Sequence, residues 1–123
     1  MRAETSKDGK VLFTSAARTT TSSATFNTNC IGGVFIINVT AISATPSVVF
    51  TISGTDPASL AEWTILTSAA ITGTGTTVLR VHPSLTAAAN TVAKDVLPQA
   101  IKVTATHADA DSITYTVGFI GVN

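Results

Sequence analysis

Apolar and β-branched residues recur along the chain in short runs, in several of which apolar and polar positions alternate. The strongest pattern spans residues 34–54, where two such runs flank the polar break at residues 44–47. In the second run Val48, Phe50 and Ile52 occupy every other position. This is the period of a strand that turns one face toward a core. The pattern predicts two strands joined as a β-hairpin.

The first of these two runs is apolar on both of its faces. Phe35, Ile37 and Val39 share one face, while Val34 and Ile36 share the other. Strands that lie inside a sheet with both faces covered have this composition. We therefore expect this strand to be central and to be covered on both sides.

The remaining runs extend the same pattern to the rest of the chain. Further strands are predicted at residues 11–13, 62–68, 76–82, 99–106 and 112–120. Glycines at positions 73 and 75 join two of them into a second predicted hairpin. Residues 83–97 have some helical tendency, so we expect at most one short helix there, with a loop as the alternative. About seven strands with short turns predict an all-β, antiparallel β-sandwich or jelly roll.

A chain of 123 residues predicts a single domain. Residues 1–10 are polar and mixed in charge, which predicts a flexible N-terminal arm before a β-sandwich domain at residues 11–123. Residues 18–29 are polar and of low complexity, and we expect either a long loop or an extended arm on a neighbouring molecule. Phe26 is the only large apolar residue of that stretch and is its expected anchor.

Charge is unusually sparse. Only 11% of the residues are charged and the net charge is +0, against about 25% charged residues in an ordinary soluble domain. Without a basic patch, nucleic-acid binding is not expected. A surface of small polar residues favours permanent contact with other subunits, and a secreted or extracellular β-domain is the alternative.

The sequence has no signal-peptide pattern at its start and no apolar run long enough to span a bilayer. We therefore expect a protein that is made and folded in a cytosol and is not inserted in a membrane. Cys30 is the single cysteine, which excludes an intrachain disulfide, and we expect it to be a small buried hydrophobic residue.

Candidate catalytic and metal-binding groups are few. His107, Asp109 and Asp111 form the only cluster of metal-ligand types. Because calcium requires six or more oxygen ligands and catalytic zinc requires supported imidazoles, we interpret the cluster as a hairpin turn whose Asp side chains bond turn amides. No nucleophile, acid–base pair or phosphate-binding loop is evident in the sequence. We expect a protein without catalytic activity, cofactor or metal.

Three segments resemble a known family, namely INVTAISATPSVVFTISGTDP, WTILTSAAITGTGTTVLRVHPSLTAAAN and HADADSITYTVG. They resemble small Ala/Thr/Val-rich virion proteins of tailed bacteriophages, over about residues 34–118. The resemblance implies a capsid decoration (cement) protein, often a homotrimer, assembled in the host bacterial cytoplasm. Such a protein binds the major capsid protein at the outer surface of the virion and stabilises contacts between capsid subunits.

On this hypothesis the arm and the polar stretch supply the residues that reach the capsid. They are Lys7, Lys10, Leu12, Phe13 and Phe26. A phage tail or baseplate component is the second interpretation, and a non-enzymatic adhesion or carbohydrate-binding module is the third. The third requires exposed aromatic residues, and aromatic residues make up only 6% of the chain.

Overall fold

The computed structural model describes residues 7–123, in which nine β-strands form two sheets packed face to face. This part of the chain contains no helix. The predicted all-β sandwich is thereby confirmed. The strands are β1 (Lys7–Arg18), β2 (Ser22–Asn27), β3 (Gly32–Ile42), β4 (Val48–Thr55), β5 (Glu62–Thr67), β6 (Gly75–Val81), β7 (Val92–Ala93), β8 (Ala100–His107) and β9 (Ile113–Val122).

Sheet A has the strand order β1-β9-β3-β6-β7, and sheet B has the order β2-β8-β4-β5. Neighbouring strands are antiparallel except β6 and β7, which are parallel. The chain crosses from one sheet to the other at six of its eight connections, and it stays in one sheet only between β4 and β5 and between β6 and β7. Most strands that follow each other in sequence therefore lie in opposite sheets, on either side of the core.

Both predicted hairpins are wrong for this reason. β3 pairs with β6 and β9, whereas β4 pairs with β5 and β8. Likewise β5 and β6, on either side of the glycines at 73 and 75, belong to different sheets. An alternating pattern shows that one face of a strand is buried, but it does not show which strand lies beside it.

Two stretches expected to be irregular contain strands. Residues 7–10 of the predicted arm belong to β1, which pairs with β9 from Lys7 opposite Val122 onward. Residues 1–6 lie outside the described part. Within the polar stretch 18–29, β2 pairs with β8 without interruption. Its inward positions include Ala24 and Phe26, which pack against the core, so two apolar side chains were enough to hold a strand at the sheet edge.

The short helix considered for residues 83–97 does not form. The segment turns at Asn90, which has a positive φ of 64°, and then runs beside β6 as β7. The backbone N–H of Arg80 donates to Thr91 O at 2.9 Å, and that of His82 donates to Ala93 O at 3.1 Å. This ladder satisfies backbone groups that a helix would otherwise have paired internally.

The core is built around the inward row of β9. Each of its four members is at most 1% exposed: Ile113, Tyr115, Val117 and Phe119. The Phe119 ring packs against Phe26 and Phe35 with centroids 4.7 and 5.0 Å away. Tyr115 meets Phe50 edge-to-face at 5.2 Å. Aromatic contacts between the sheets thus hold both halves of the sandwich.

Gly33 makes room for the Phe119 ring. It lies on the inward face of β3, and a Cβ added at this position would overlap Phe119 Cε1. Gly9, on β1, has no atom within 4 Å of the corresponding point. Cys30 lies near this end of the core, buried and unpaired as a free thiol, as the sequence predicts.

We expect Gly33→Ala to lower the free energy of unfolding by roughly 1–3 kcal/mol, because the new methyl group overpacks the core. The measurement is urea unfolding followed by tryptophan fluorescence. Gly9→Ala is the matched control and should leave stability nearly unchanged, since its methyl group meets open space. Equal effects of the two substitutions would contradict the packing described for Phe119.

Candidate interaction surface

The residues predicted to contact a partner do not form one surface. Lys7 is the first residue of β1, and its side chain lies outside the described part. Lys10 Nζ lies 3.4 Å from the Asp8 carboxylate, and Leu12 packs against the core. A partner contact by Lys7, Lys10 or Leu12 stays a prediction.

Phe13 and Phe26 belong to the fold itself. Phe13 is 5% exposed and meets Tyr115 edge-to-face at 5.8 Å. The register of β1 against β9 shifts between Val11 and Phe13, which leaves Val11 outside and turns the Phe13 side chain inward. Phe13 is therefore part of the core, and a partner contact by Phe13 stays a prediction. The Phe26 side chain is half-buried against Phe119.

The segment with metal-ligand residues is a hydrogen-bonded turn between β8 and β9. Asp109 Oδ1 accepts from the backbone N–H of Asp111 at 3.0 Å, and Asp111 Oδ2 accepts from that of Thr45 at 3.1 Å. His107 points elsewhere, with Nε2 3.2 Å from the Tyr115 hydroxyl. The predicted bonding of turn amides is confirmed. The turn is not the predicted hairpin, because β8 and β9 belong to different sheets. Residues 7–123 hold no group of three ligand side chains placed for a metal.

His107 and Tyr115 lie at one end of the sandwich together with Arg18. The Arg18 guanidinium lies over the Tyr115 ring at 5.2 Å from its centroid. Burial lowers the pKa of His107 below its ordinary value; the nearby Asp109 carboxylate opposes this and the Arg18 cation reinforces it. Burial also raises the pKa of Tyr115, against the effect of Arg18. Both groups are therefore neutral near pH 7.

A second contact between a histidine and a hydroxyl lies beside β6. The Ser84 hydroxyl is 2.7 Å from His82 Nδ1, which also accepts the Ser84 backbone N–H at 3.1 Å. Within the described range, no carboxylate side chain bonds this imidazole to orient it. The pair is a local turn motif, and it lacks the third group that nucleophilic catalysis uses.

The most distinctive surface is the outward face of sheet A, where apolar side chains replace the polar ones usual in a solvated sheet face. Val11 is 73% exposed and Ile120 is 42% exposed. The strand register places Val34 beside Ile120, and Ile36 beside Gly118. We call the following residues the outer patch: Val11, Val34, Ile36, Val78 and Ile120.

Glycines, which have no side chain, leave a depression in the outer patch. Gly118 lies between Val11 on β1 and Ile36 on β3, and the nearest atom to a Cβ added there is 3.9 Å away. Gly9 is equally open. The result is a depression of about 350 Å³ that is lined mainly by apolar residues and also by Lys10. A protruding apolar side chain of another molecule fits such a surface.

Around the outer patch, the outward positions of β3, β6 and β9 carry mostly neutral, polar side chains. On β3, β6 and β9, Arg80 is the one charged residue at an outward position, and the others beyond the patch include Thr116 and Asn38. A second depression continues past Arg80 to Leu85. An apolar centre with a polar rim is the usual anatomy of a protein–protein contact.

The apolar run of β3 indicated this surface in the sequence, but only one of the two predictions made from it was correct. β3 is central in sheet A, as its composition predicts. The expected cover over its second face is wrong, because Val34 and Ile36 remain half-exposed in the described part of the chain. The double-sided apolar run therefore marks an apolar outer face that stays partly exposed in residues 7–123.

The lowered pKa of His107 makes stability depend on pH. The unfolded chain takes up a proton near the ordinary value of 6.5, whereas the folded chain takes it up at lower pH. Between the two values the unfolded state binds more protons, so stability should decrease as the pH falls from about 7 through the ordinary value of 6.5. We expect His107→Gln to weaken this decrease in thermal melts.

His82→Gln is the matched control, because it removes the other histidine and leaves His107 in place. It should still show the decrease that His107 causes, because the contact between His107 and Tyr115 is unchanged. Identical pH profiles for the wild type and the His107 variant would contradict the burial argument.

No helix in residues 7–123 is long and apolar enough to cross a membrane. Comparison of the chain with family models, with curated proteins and with solved structures finds no match.

Proposed function

We propose that this chain is a non-enzymatic structural protein that binds another protein through the outer patch. The proposed partner is the major capsid protein of a tailed bacteriophage, and the chain would then be a capsid decoration (cement) protein on the virion surface. The observation that carries the proposal is the apolar outer face of sheet A, in a chain of which only 11% is charged.

The outer patch suits a lasting contact on physical grounds. Burial of apolar surface contributes about 25 cal/mol per Å². Its residues stand on four antiparallel neighbours, β1, β9, β3 and β6, so the surface is ordered before binding and little backbone entropy is lost. A subunit that lies across the seam between two capsid subunits adds contact area to both, and this strengthens the shell wherever the contact repeats.

The resemblance to virion proteins supports the choice of the capsid as partner. The tail or baseplate alternative uses the same surface and differs in the number of copies per particle. For the adhesion or carbohydrate-binding alternative, Trp63 is the relevant residue, at 45% exposed. It lies at the sheet edge against Gly54 and Pro98, and a single ring there does not form a stacking platform of several aromatics.

We expect Ile120→Lys to reduce binding to capsids by about tenfold or more, because a charge is placed in the centre of an apolar contact. The measurement is co-sedimentation of purified protein with particles of a phage from which its gene has been deleted. Particles and protein are mixed at a series of concentrations, and bound protein is quantified in the pellet.

Thr106→Lys is the matched control, since Thr106 is exposed on sheet B and the same charge is added away from the outer patch. It should bind as the wild type does, and both variants should melt at nearly the wild-type temperature. Undiminished binding of the Ile120 variant would overturn the outer patch as the contact. Absence of binding by the wild type would overturn the capsid as partner.

A further inference from the structure

The edge strands of the two sheets differ in how they are protected against pairing with another chain. β1 has two register shifts and carries charges at Asp8 and Lys10. β7 is only two residues long. In β5 the pairing with β4 is irregular, and Glu62 carries a charge that is paired with Lys102. Charges, irregular pairing and short length are the devices that keep edges from associating.

β2 has none of these devices. Over Ser22–Asn27 it contains no charged residue and no proline. Its register with β8 is unbroken along all six residues. It is the last strand of sheet B, so β8 is its only neighbour in the sheet. Of the described edges, this one is regular and open along its whole length.

The ladder shows which backbone groups face outward. Directly after β2, the Thr28 N–H donates to Gln99 O at 3.0 Å, and this pair continues the register of β2 with β8. Because hydrogen-bonded and non-hydrogen-bonded pairs alternate in an antiparallel ladder, every second residue turns its N–H and C=O away from β8. In β2 these residues are Ser23, Thr25 and Asn27, whose side chains are exposed.

We propose that β2 pairs with β2 of a second copy of this chain, antiparallel and about a two-fold axis at Thr25. The two four-stranded sheets would then form one continuous sheet of eight strands. Thr25 lies opposite its own equivalent, and Ser23 lies opposite Asn27 of the partner subunit. Three such pairs form about six backbone hydrogen bonds.

Self-pairing is favoured over other occupants because the strand complements itself. The outward residues are spaced symmetrically about Thr25, so every outward N–H meets an outward C=O. On the inward side the same register places Ala24 opposite Phe26 of the partner subunit, a small side chain against a large one. Because residues near a two-fold axis meet their own copies, a charged strand would repel itself, and β2 is uncharged.

This inference goes beyond the proposed function and does not depend on it, since β2 and the outer patch lie in different sheets. It also replaces the trimer implied by the resemblance with a two-fold contact. Pairing edge to edge leaves the outer patch open on both copies, so that one dimer can present two such surfaces to a partner.

The first test is the mass of the purified chain by size-exclusion chromatography with light scattering. We expect twice the 12.5 kDa of the single chain. Thr25→Pro should give a monomer, because it removes an outward N–H while leaving the ladder with β8 intact. Circular dichroism and thermal melting verify that the variant is folded.

Thr25→Lys is a second variant, which places like charges together at the two-fold axis and should also dissociate the dimer. Thr64→Lys is its matched control, because Thr64 is an exposed threonine on β5, at the opposite edge of the same sheet. It should remain dimeric.

Amide hydrogen exchange locates the contact. In the dimer the amides of Ser23, Thr25 and Asn27 should be protected, and in the Thr25→Lys variant those of Ser23 and Asn27 should exchange at least tenfold faster. A monomeric or trimeric wild type would overturn the proposal. So would a dimer that persists in both Thr25 variants, or one that Ile120→Lys dissociates instead.

Discussion

The inward row of β9 is the constraint on which the rest of the structure depends. Its residues from Ile113 to Phe119 are at most 1% exposed at alternate positions, and they contact rings from both sheets. Since side chains alternate along a strand, burial of this row sends Gly118 and Ile120 to the opposite face. The strand that builds the core therefore also builds the centre of the outer patch, and neither can shift register without the other.

The sequence was sufficient to predict the fold class and the central position of β3, because period-two alternation reports directly on burial. It could not predict strand partners, since β3 and β4 bury their faces in the same core from opposite sheets. β2 was not predicted because its composition is polar, which is normal for a strand at a sheet edge. The inward direction of the Phe13 side chain could not be predicted, because it depends on a register shift in β1. A shift of this kind has no signature in the residue pattern.

The low content of charged residues is reflected in two surfaces, the outward face of sheet A and the edge of β2. On the outward positions of β3, β6 and β9 Arg80 is the single charge, and β2 has no charge. Burial favours the neutral forms of His107 and Tyr115, the ionisable side chains near the core, because it lowers the pKa of His107 and raises the pKa of Tyr115; the two side chains also contact each other. A face and an edge with little charge can be covered at low desolvation cost, which supports the proposal that the protein acts by assembly.

The most direct test of the proposed capsid role is quantitative mass spectrometry of purified virions of the phage proposed to encode the chain. The measured quantity is the number of copies relative to the major capsid protein. The account predicts one copy per capsid subunit or a simple fraction of that number. A few copies per particle would place the chain at the tail or a unique vertex, and its absence from virions would contradict the structural role.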